Sequence, residues 1–272
     1  MSFLDTMARS SRLRADAARR HEPLDAVITR AAALPAPRRP VLHGFDLIAE
    51  VKRSAPSAGV LAAPEGDRAA FAVDVARAYA GAGAALLSVL TEPDRFDGAM
   101  EDLQAVAHGA EAPAMRKDFL VDPYQLWEAR AAGADAALLI VRMLPGAQLA
   151  ELCDAAADAG LLLLLEAFDH ADLDRCADAA AAFSARTPVW VGVNTRDLAT
   201  LEVDPNRLTA LAPYLPAGVP AVAESGIVTP AHAASAARSG YQLALVGTAL
   251  MRAADPRALA EALLAAGRSA CP

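Results

Sequence analysis

Two lysines are the residues whose type and position point most directly to chemistry. Of 25 lysine and arginine side chains, only Lys52 and Lys117 are lysines. Each closes a short apolar run, the first ending at residue 52 and the second at residue 117. Arginine stays protonated in proteins, whereas a partly desolvated lysine can give up a proton. The pattern predicts that both lysines belong to a site that performs acid–base chemistry.

Polar side chains also end most of the other apolar runs. Eight runs lie near residues 46–52, 84–90, 112–117, 135–141, 161–166, 188–193, 219–224 and 242–246. An apolar strand has no packing reason to end in a carboxylate or an ammonium group. If the carboxyl ends of the strands meet at one mouth, these groups converge on one active site. The residues are Glu50, Lys52, Ser88, Lys117, Glu166, Asn194, Arg196, Glu224, Ser225, Gly226, Gly247 and Thr248.

Alanine-rich stretches with helical periodicity separate the apolar runs. They cover residues 67–81, 99–108, 122–132, 146–159, 169–182, 205–212, 229–239 and 255–267. A glycine that can end a helix in a left-handed conformation follows four of them, at Gly83, Gly133, Gly160 and Gly240. The apolar runs do not alternate, as is typical of parallel strands covered on both faces.

Eight strand–helix units predict an α/β fold, a (β/α)8 TIM barrel with an N-terminal helical extension. A doubly wound open sheet is the alternative, but no glycine fingerprint follows the first strand. Residues 1 to about 34 have a helical pattern, and three prolines over residues 35–40 end it. We therefore expect a helical extension over residues 1–45, capping the barrel mouth, and a catalytic barrel over residues 46–272.

Composition and charge exclude several classes of protein. The chain has 272 residues, of which 55% are hydrophobic, and a net charge of −8. A nucleic-acid-binding surface needs clustered cations, and no basic stripe occurs. No 18-residue apolar span or signal core is present, so we expect a cytoplasmic chain without a membrane partner. Cys153, Cys176 and Cys271 form no ligand pair, and the histidines lack metal-ligand spacing. We expect no metal, no cofactor and a monomer.

The last two strand ends have the composition of an anion site. Gly226 and Gly247 each put a glycine where backbone N–H groups can approach a ligand. The stretch from Thr248 to Met251 is predicted to form a short helix whose N-terminus attracts phosphate. Barrels often bind phosphate with the loops that follow the seventh and eighth strands. A phosphorylated small-molecule substrate is the hypothesis that follows.

Several dense motifs resemble those of one family of enzymes. They are LIAEVKRSAPSAG, SVLTEPDRFDGAMEDL, MRKDFLVDPYQLWEARAAGADAALLI, VGVNTRDL, AESGI and VGTALM, in this order. Together they resemble the indole-3-glycerol phosphate synthase family from about residue 44 to 257. The resemblance implies a carboxy-lyase of tryptophan biosynthesis that needs no cofactor. Its substrate is 1-(2-carboxyphenylamino)-1-deoxyribulose 5-phosphate, which closes to the indole with loss of carbon dioxide and water.

The resemblance also implies catalytic roles. In the family's reaction a ring carbon attacks the ribulose carbonyl, and negative charge builds on that oxygen. Lys117 corresponds to the general acid of ring closure, a role that arginine could not fill. Lys52 resembles the second family lysine, near the phosphate and carboxylate and active in dehydration. Glu166 resembles the carboxylate that removes a later proton, and Glu50 is expected to pair with the lysines and tune their pKa.

Binding roles follow from the same resemblance. Asn194, Glu224 and Ser225 are expected to bind the substrate and order the catalytic groups, and Arg196 to bind the anthranilate carboxylate. The ring pocket is expected to be walled by Phe96 and Phe119, unless these two belong to the core. The expected phosphate ligands are Lys52, Ser54, Gly226, Gly247 and Thr248.

One departure from the family pattern concerns the loop after the first strand. The usual serine is replaced by Ala55, while Ser54 stands next to it. A lost hydroxyl contact is typically worth about 1 kcal/mol, which predicts weaker binding rather than loss of activity.

Two alternatives remain open from the sequence. One is another phosphate-binding barrel enzyme, either a sugar-phosphate isomerase or an aldolase in which Lys117 forms a Schiff base. The other is a barrel that binds a phosphorylated ligand without turning it over. The second predicts loss of a lysine or of Glu166, and all three side chains are present.

Overall fold

The strands form a closed parallel barrel with a small separate hairpin. A computed structural model describes residues 2–64, 66–198 and 200–271. The barrel follows the order β1-β10-β9-β8-β7-β6-β5-β4, and β2 pairs with β3 outside it. The strands are β1 (Asp46–Val51), β2 (Ser54–Ala55), β3 (Gly59–Val60), β4 (Leu86–Leu90), β5 (Ala114–Lys117), β6 (Ala136–Ile140), β7 (Leu162–Ala167), β8 (Val189–Asn194), β9 (Ala221–Glu224) and β10 (Leu243–Val246). The predicted (β/α)8 architecture is confirmed.

Helices surround the barrel. They are α1 (Phe3–His21), α2 (Leu24–Ala32), α3 (Arg68–Gly81), α4 (Pro93–Phe96), α5 (Met100–Gly109), α6 (Pro123–Ala131), α7 (Gly146–Asp158), α8 (His170–Phe183), α9 (Arg207–Leu211), α10 (Pro230–Arg238), α11 (Thr248–Arg252) and α12 (Pro256–Ala270). Of these, α1 and α2 precede β1, and α11 and α12 follow β10. Within the described ranges, none is long and apolar enough to span a membrane. The four predicted helix-ending glycines have positive φ, between 71° and 94°.

Two apolar layers explain why the strand sequences do not alternate. Residues of one parity fill the barrel interior, including Ile48, Met115 and Leu164. Their neighbours, such as Leu47 and Leu163, pack outward against the surrounding helices. Every residue of β1 is buried, so both faces of the strand must be apolar. Most of the polar side chains that face the cavity at the barrel mouth lie at or after the carboxyl ends of the strands.

The N-terminal extension is two helices rather than one continuous helix. Pro23 stands before α2 with φ −61° and ψ 151°, so the chain leaves the helical conformation there. Residues Val27 and Ala31 of α2 pack with Tyr124 and Ala131 of α6. The extension therefore lies against the barrel wall beside β5 and α6.

Candidate active site

A cavity of about 390 Å³ opens at the carboxyl ends of the strands. All of the predicted site residues except Ser54 and Ser88 line it. They are Glu50, Lys52, Phe96, Lys117, Phe119, Glu166, Asn194, Arg196, Glu224, Ser225, Gly226, Gly247 and Thr248. The closed parallel sheet explains this convergence, because all its strands end at the same mouth. Ser88, predicted at the end of the second apolar run, is the middle residue of β4, where it is buried and does not line the cavity.

Lys117 lies between two carboxyl groups from neighbouring parts of the barrel. Its Nζ is 3.2 Å from Oε2 of Glu166 and 3.6 Å from Oε2 of Glu224. Burial alone lowers the pKa of Lys117, but the negative charges of Glu166, Glu224 and Glu50 outweigh it and raise the pKa above its ordinary value. Lys117 is therefore held as an ammonium that can donate a proton. Schiff-base formation needs a neutral amine, so this environment favours acid chemistry over an aldolase.

Asn194 orients Glu166. Its Nδ2 donates to Oε1 of Glu166 at 3.0 Å, while its Oδ1 accepts from the backbone N–H of Arg196 at 2.9 Å. Strands β7 and β8 are adjacent, with Glu166 opposite Gly192, so the amide reaches the carboxylate across one strand spacing. Both oxygens of Glu166 therefore have a donor, one from Asn194 and one from Lys117.

Glu50 and Lys52, at the end of β1, form a second ion pair in the cavity. Oε1 of Glu50 lies 2.5 Å from Nζ of Lys52, and the Lys52 side chain is 13% exposed. Gly247 makes room for this pair, since a Cβ there would overlap the Glu50 carboxylate. The glycine predicted as a backbone donor for phosphate thus has a second role that the sequence did not indicate.

Glu224 is the least satisfied group in the site. Its side chain is 1% exposed, and neither oxygen accepts a hydrogen bond from a protein donor. The pKa of Glu224 is raised well above its ordinary value by burial first and by the charge of Glu166 next, with Lys117 opposing. Gly192 leaves the space that this carboxyl occupies, since an added Cβ would overlap Oε1. Gly192 was not among the predicted site residues.

The turns after β9 and β10 expose backbone to the cavity. Ser225 and Gly226 both have positive φ, 65° and 74°, which turns the chain sharply after Glu224. The predicted short helix is present as α11, with Gly247 just before its first residue Thr248. These residues line the cavity together with Lys52, so a cation and two glycine turns face the same space.

Aromatic rings form one wall of the cavity. The rings of Phe96 and Phe119 lie 6.1 Å apart, and Phe3 of α1 meets Phe119 edge-on at 5.8 Å. Leu138 and Leu245 from the barrel interior also line the cavity. Phe3 was not predicted, because nothing in the local sequence shows which side chain of a distant helix reaches the mouth.

Asp118, next to Lys117, ties helix α1 to the mouth. Both its oxygens accept from Arg14 of α1, at 2.7 and 2.8 Å, and Thr91 Oγ1 donates to Oδ2 at 2.8 Å. The buried guanidinium of Arg116 lies 3.3 Å away. Although burial raises the pKa of Asp118, Arg14, Arg116 and Thr91 outweigh it and lower the pKa to about 2. The sequence prediction missed this network.

Ser54, predicted as a phosphate ligand, does not line the cavity. It lies in the β2-β3 hairpin, where its Oγ donates to the carbonyl oxygen of Gly59 at 3.3 Å. Ala55, Pro56 and Ser57 line the cavity instead. The hairpin pairing turns Ser54 away, so Ser57 is the serine of this loop that faces the site.

Arg196 projects from the segment after β8. Its Nη1 donates to the carbonyl oxygen of Leu201 at 2.8 Å, and an isolated bridge pairs Arg196 with Val203. Burial lowers its pKa from the ordinary value, while the charge of Glu50 opposes that shift. Among the described side chains, no cluster of three or more His, Cys, Asp or Glu residues is arranged to hold a metal ion.

The closed barrel, with lysines, carboxylates and glycine turns at the strand ends, is that of a (β/α)8-barrel enzyme acting at the carboxyl face. Solved barrels of low sequence identity share the fold. A 3-hexulose-6-phosphate synthase from Salmonella typhimurium aligns with TM-score 0.61 at 14% identity, covering 83% of this chain and all of that one. A thiamine phosphate pyrophosphorylase from Pyrococcus furiosus aligns with TM-score 0.58 at 17% identity, covering 84% of this chain and 98% of that one.

Sequence comparison gives the family. The model of the indole-3-glycerol phosphate synthase family matches residues 29–263. Relatives named indole-3-glycerol phosphate synthase come from Streptomyces griseus, 42% identical over 98% of this chain and 96% of the relative, and from Mycobacterium leprae, 41% identical over 96% and 94%. The chain belongs to the indole-3-glycerol phosphate synthase family.

Proposed function

We propose that this chain closes 1-(2-carboxyphenylamino)-1-deoxyribulose 5-phosphate to indole-3-glycerol phosphate, with loss of carbon dioxide and water, in tryptophan biosynthesis. The observation that carries the proposal is Lys117, an ammonium held between Glu166 and Glu224 inside a cavity with one aromatic wall. Family membership over nearly the whole chain supports the same reaction.

Lys117 donates the proton of ring closure. When the ring carbon attacks the ribulose carbonyl, negative charge develops on the carbonyl oxygen, and a positioned ammonium lowers that barrier by protonation. Its raised pKa keeps the donor charged at neutral pH. Loss of carbon dioxide then restores the aromatic ring, because the electron pair of the broken carbon–carbon bond returns to the ring.

Glu166 is the base that removes the later proton, and Lys52 assists departure of the hydroxyl as water. The donors from Asn194 and Lys117 fix the Glu166 carboxylate in one orientation, which general-base catalysis requires. Glu50 holds Lys52 through their 2.5 Å ion pair. Each of these side chains lines the cavity, so no rearrangement of the barrel is needed to bring them together.

The two ends of the substrate bind to opposite sides of the cavity. The phosphate is held by Lys52, Gly226, Gly247 and Thr248, where glycine turns let backbone N–H groups approach. Ser57, rather than Ser54, is the serine that belongs to this set, because Ser57 lines the cavity and Ser54 does not. The aromatic ring lies against Phe96 and Phe119, with its carboxylate on Arg196. Asn194, Glu224 and Ser225 bind the ribulose hydroxyls.

The extension over residues 1–45 covers the aromatic side of the mouth of the barrel, residues 46–272. Phe3 contributes to the cavity wall, and Arg14 anchors α1 to Asp118. We also propose that the chain acts as a monomer on this small phosphorylated substrate, with no nucleic-acid partner, since one chain supplies every side chain assigned to the reaction. Action in the cytoplasm is supported by Cys153, Cys176 and Cys271, all free thiols.

Incubation with the carboxyphenylamino-deoxyribulose phosphate tests the proposed reaction. We expect indole fluorescence to appear together with one carbon dioxide per substrate consumed. Borohydride added during turnover should leave the protein unmodified, because no imine forms. Conversion to an isomeric sugar phosphate without carbon dioxide, or a trapped adduct at Lys117, would replace this function by one of the other barrel chemistries.

A further inference from the structure

The cavity holds more carboxyl groups than its lysines can neutralise. Glu50, Glu166 and Glu224 face it, and its lysines are Lys52 and Lys117. Arg196, which also lines the cavity, donates to the carbonyl oxygen of Leu201. Glu50 is paired with Lys52 at 2.5 Å, and Glu166 with Lys117 at 3.2 Å. Glu224 therefore remains without a cation of its own, although it shares Lys117 at 3.6 Å.

The hydrogen bonds also distinguish the carboxyl group of Glu166 from that of Glu224. Glu166 receives a donor on each oxygen, from Asn194 and from Lys117. Glu224 receives none, and both its oxygens are buried. A buried carboxylate without donors costs several kcal/mol, and such a group is normally neutral instead. The carboxyl groups of Glu224 and Glu166 lie within hydrogen-bonding reach of each other. Two carboxyl groups can form a hydrogen bond only when one of them carries a proton.

We propose that Glu224 is a neutral carboxylic acid in the resting site and uses its O–H as a hydrogen-bond donor, first to Glu166 and then to a substrate hydroxyl. This proposal rests on the proposed function for the identity of the substrate, but the protonation of Glu224 does not. It makes Glu224 a hydrogen-bond donor to the substrate, where an ionised carboxylate could only accept.

The negative charge of the proposed substrate favours a neutral Glu224. The proposed substrate brings a phosphate and a carboxylate, so an ionised Glu224 would add repulsion inside a cavity of low dielectric. Neutral Glu224 leaves two balanced ion pairs, Glu50 with Lys52 and Glu166 with Lys117. The charged groups that act on Glu224 are Glu166 and Glu50, which favour the neutral form, and Lys117, which opposes it.

Infrared difference spectroscopy tests the protonation without any substrate. We expect the wild-type protein at neutral pH to show the C=O stretch of a protonated carboxyl, shifted in D2O and absent from Glu224→Gln. The exposed Glu151→Gln is the matched control and should leave the band unchanged. A wild-type spectrum without the band overturns the proposal, whether or not Glu224→Gln folds. A band that disappears in Glu166→Gln and persists in Glu224→Gln also overturns it.

Kinetics provide a second readout. Glutamine keeps a neutral donor, so we expect Glu224→Gln to lower kcat/KM by about tenfold, the effect of one altered neutral hydrogen bond, and Glu224→Ala by far more. Wild-type KM should rise as alkaline pH ionises Glu224, and in Glu224→Gln this rise should vanish. An equally large loss of kcat/KM in Glu224→Gln and Glu166→Gln would contradict the role of Glu224 as a donor. Absence of wild-type turnover with the infrared band intact would instead refute the proposed function alone.

Discussion

Lys117 owes its positive charge to its neighbours, against the effect of its burial. Removal from water disfavours the ammonium, yet three carboxyl groups raise its pKa. The nearest of them, Glu166, is itself oriented by Asn194 at 3.0 Å. A donor and a base thus lie in direct contact, and the reaction can use them in sequence because the two proton transfers occur at different steps.

Glu166→Gln tests the base at this position. The amide keeps an oxygen that can accept from Lys117 but cannot take a proton from the intermediate. We expect kcat to fall between about 10²- and 10⁴-fold, the usual contribution of a general base, with substrate affinity nearly kept. Single-turnover rates and equilibrium binding measure the two separately. A variant that loses affinity while keeping kcat would show that Glu166 only binds.

Strand β5 and helix α1 meet at Asp118. The Asp118 carboxylate accepts hydrogen bonds from Nη1 and Nη2 of Arg14, which lies 104 residues earlier in the sequence. Because Lys117 and Phe119 flank Asp118, the position of α1 is linked to the proton donor on one side and to the aromatic wall on the other. Phe3 completes this link through its edge contact with Phe119.

Arg14→Met tests the link. The variant leaves a buried carboxylate with one partner fewer and loosens α1, so Phe3 should leave the wall. We expect a stability loss on the order of 1.5 to 3 kcal/mol, as for hydrogen bonds to a charged group, and a rise in KM that exceeds the fall in kcat. Denaturant unfolding and steady-state kinetics measure both. Arg9→Met, an exposed change on the same helix, is the control. Unchanged KM in Arg14→Met would mean that α1 does not shape the site.

Much of the element pattern could be predicted from the sequence, and the reasons differ from element to element. Barrel strands were predicted because burial on both faces demands unbroken apolar runs, as in β7. The break at Pro23 and the β2-β3 hairpin were missed, because each depends on a few residues with no periodicity. Ser54 was assigned to the site from its position alone, while the hairpin decides which serine faces inward.

Convergence of the site depends on the whole barrel, and it could be predicted once the eight units were counted. Contacts between the extension and the mouth could not, because Arg14 and Phe3 meet partners more than 100 residues away without a local signal. The same holds for Gly192 and Gly247, whose role is to leave space for the carboxyls of Glu224 and Glu50.

Acid stability of the folded chain should reflect Asp118. Its pKa is about 2 when folded and about 3.9 in an unfolded chain. The stabilisation is fully present above about pH 4 and is lost as pH falls toward 2, an effect on the order of 2 to 3 kcal/mol. Asp118→Asn should flatten the loss of unfolding free energy in that window, and the exposed Asp74→Asn should not. An unchanged slope in Asp118→Asn would contradict the assignment.

The most direct measurement is the turnover of Lys117→Arg. Arginine keeps the positive charge beside Glu166 and Glu224 but does not release its proton at neutral pH. Proton donation by Lys117 predicts that kcat falls by about 10²- to 10⁴-fold while the variant still folds and binds substrate. A Lys117→Arg protein with near-normal kcat would contradict the account, because charge alone would then suffice for ring closure.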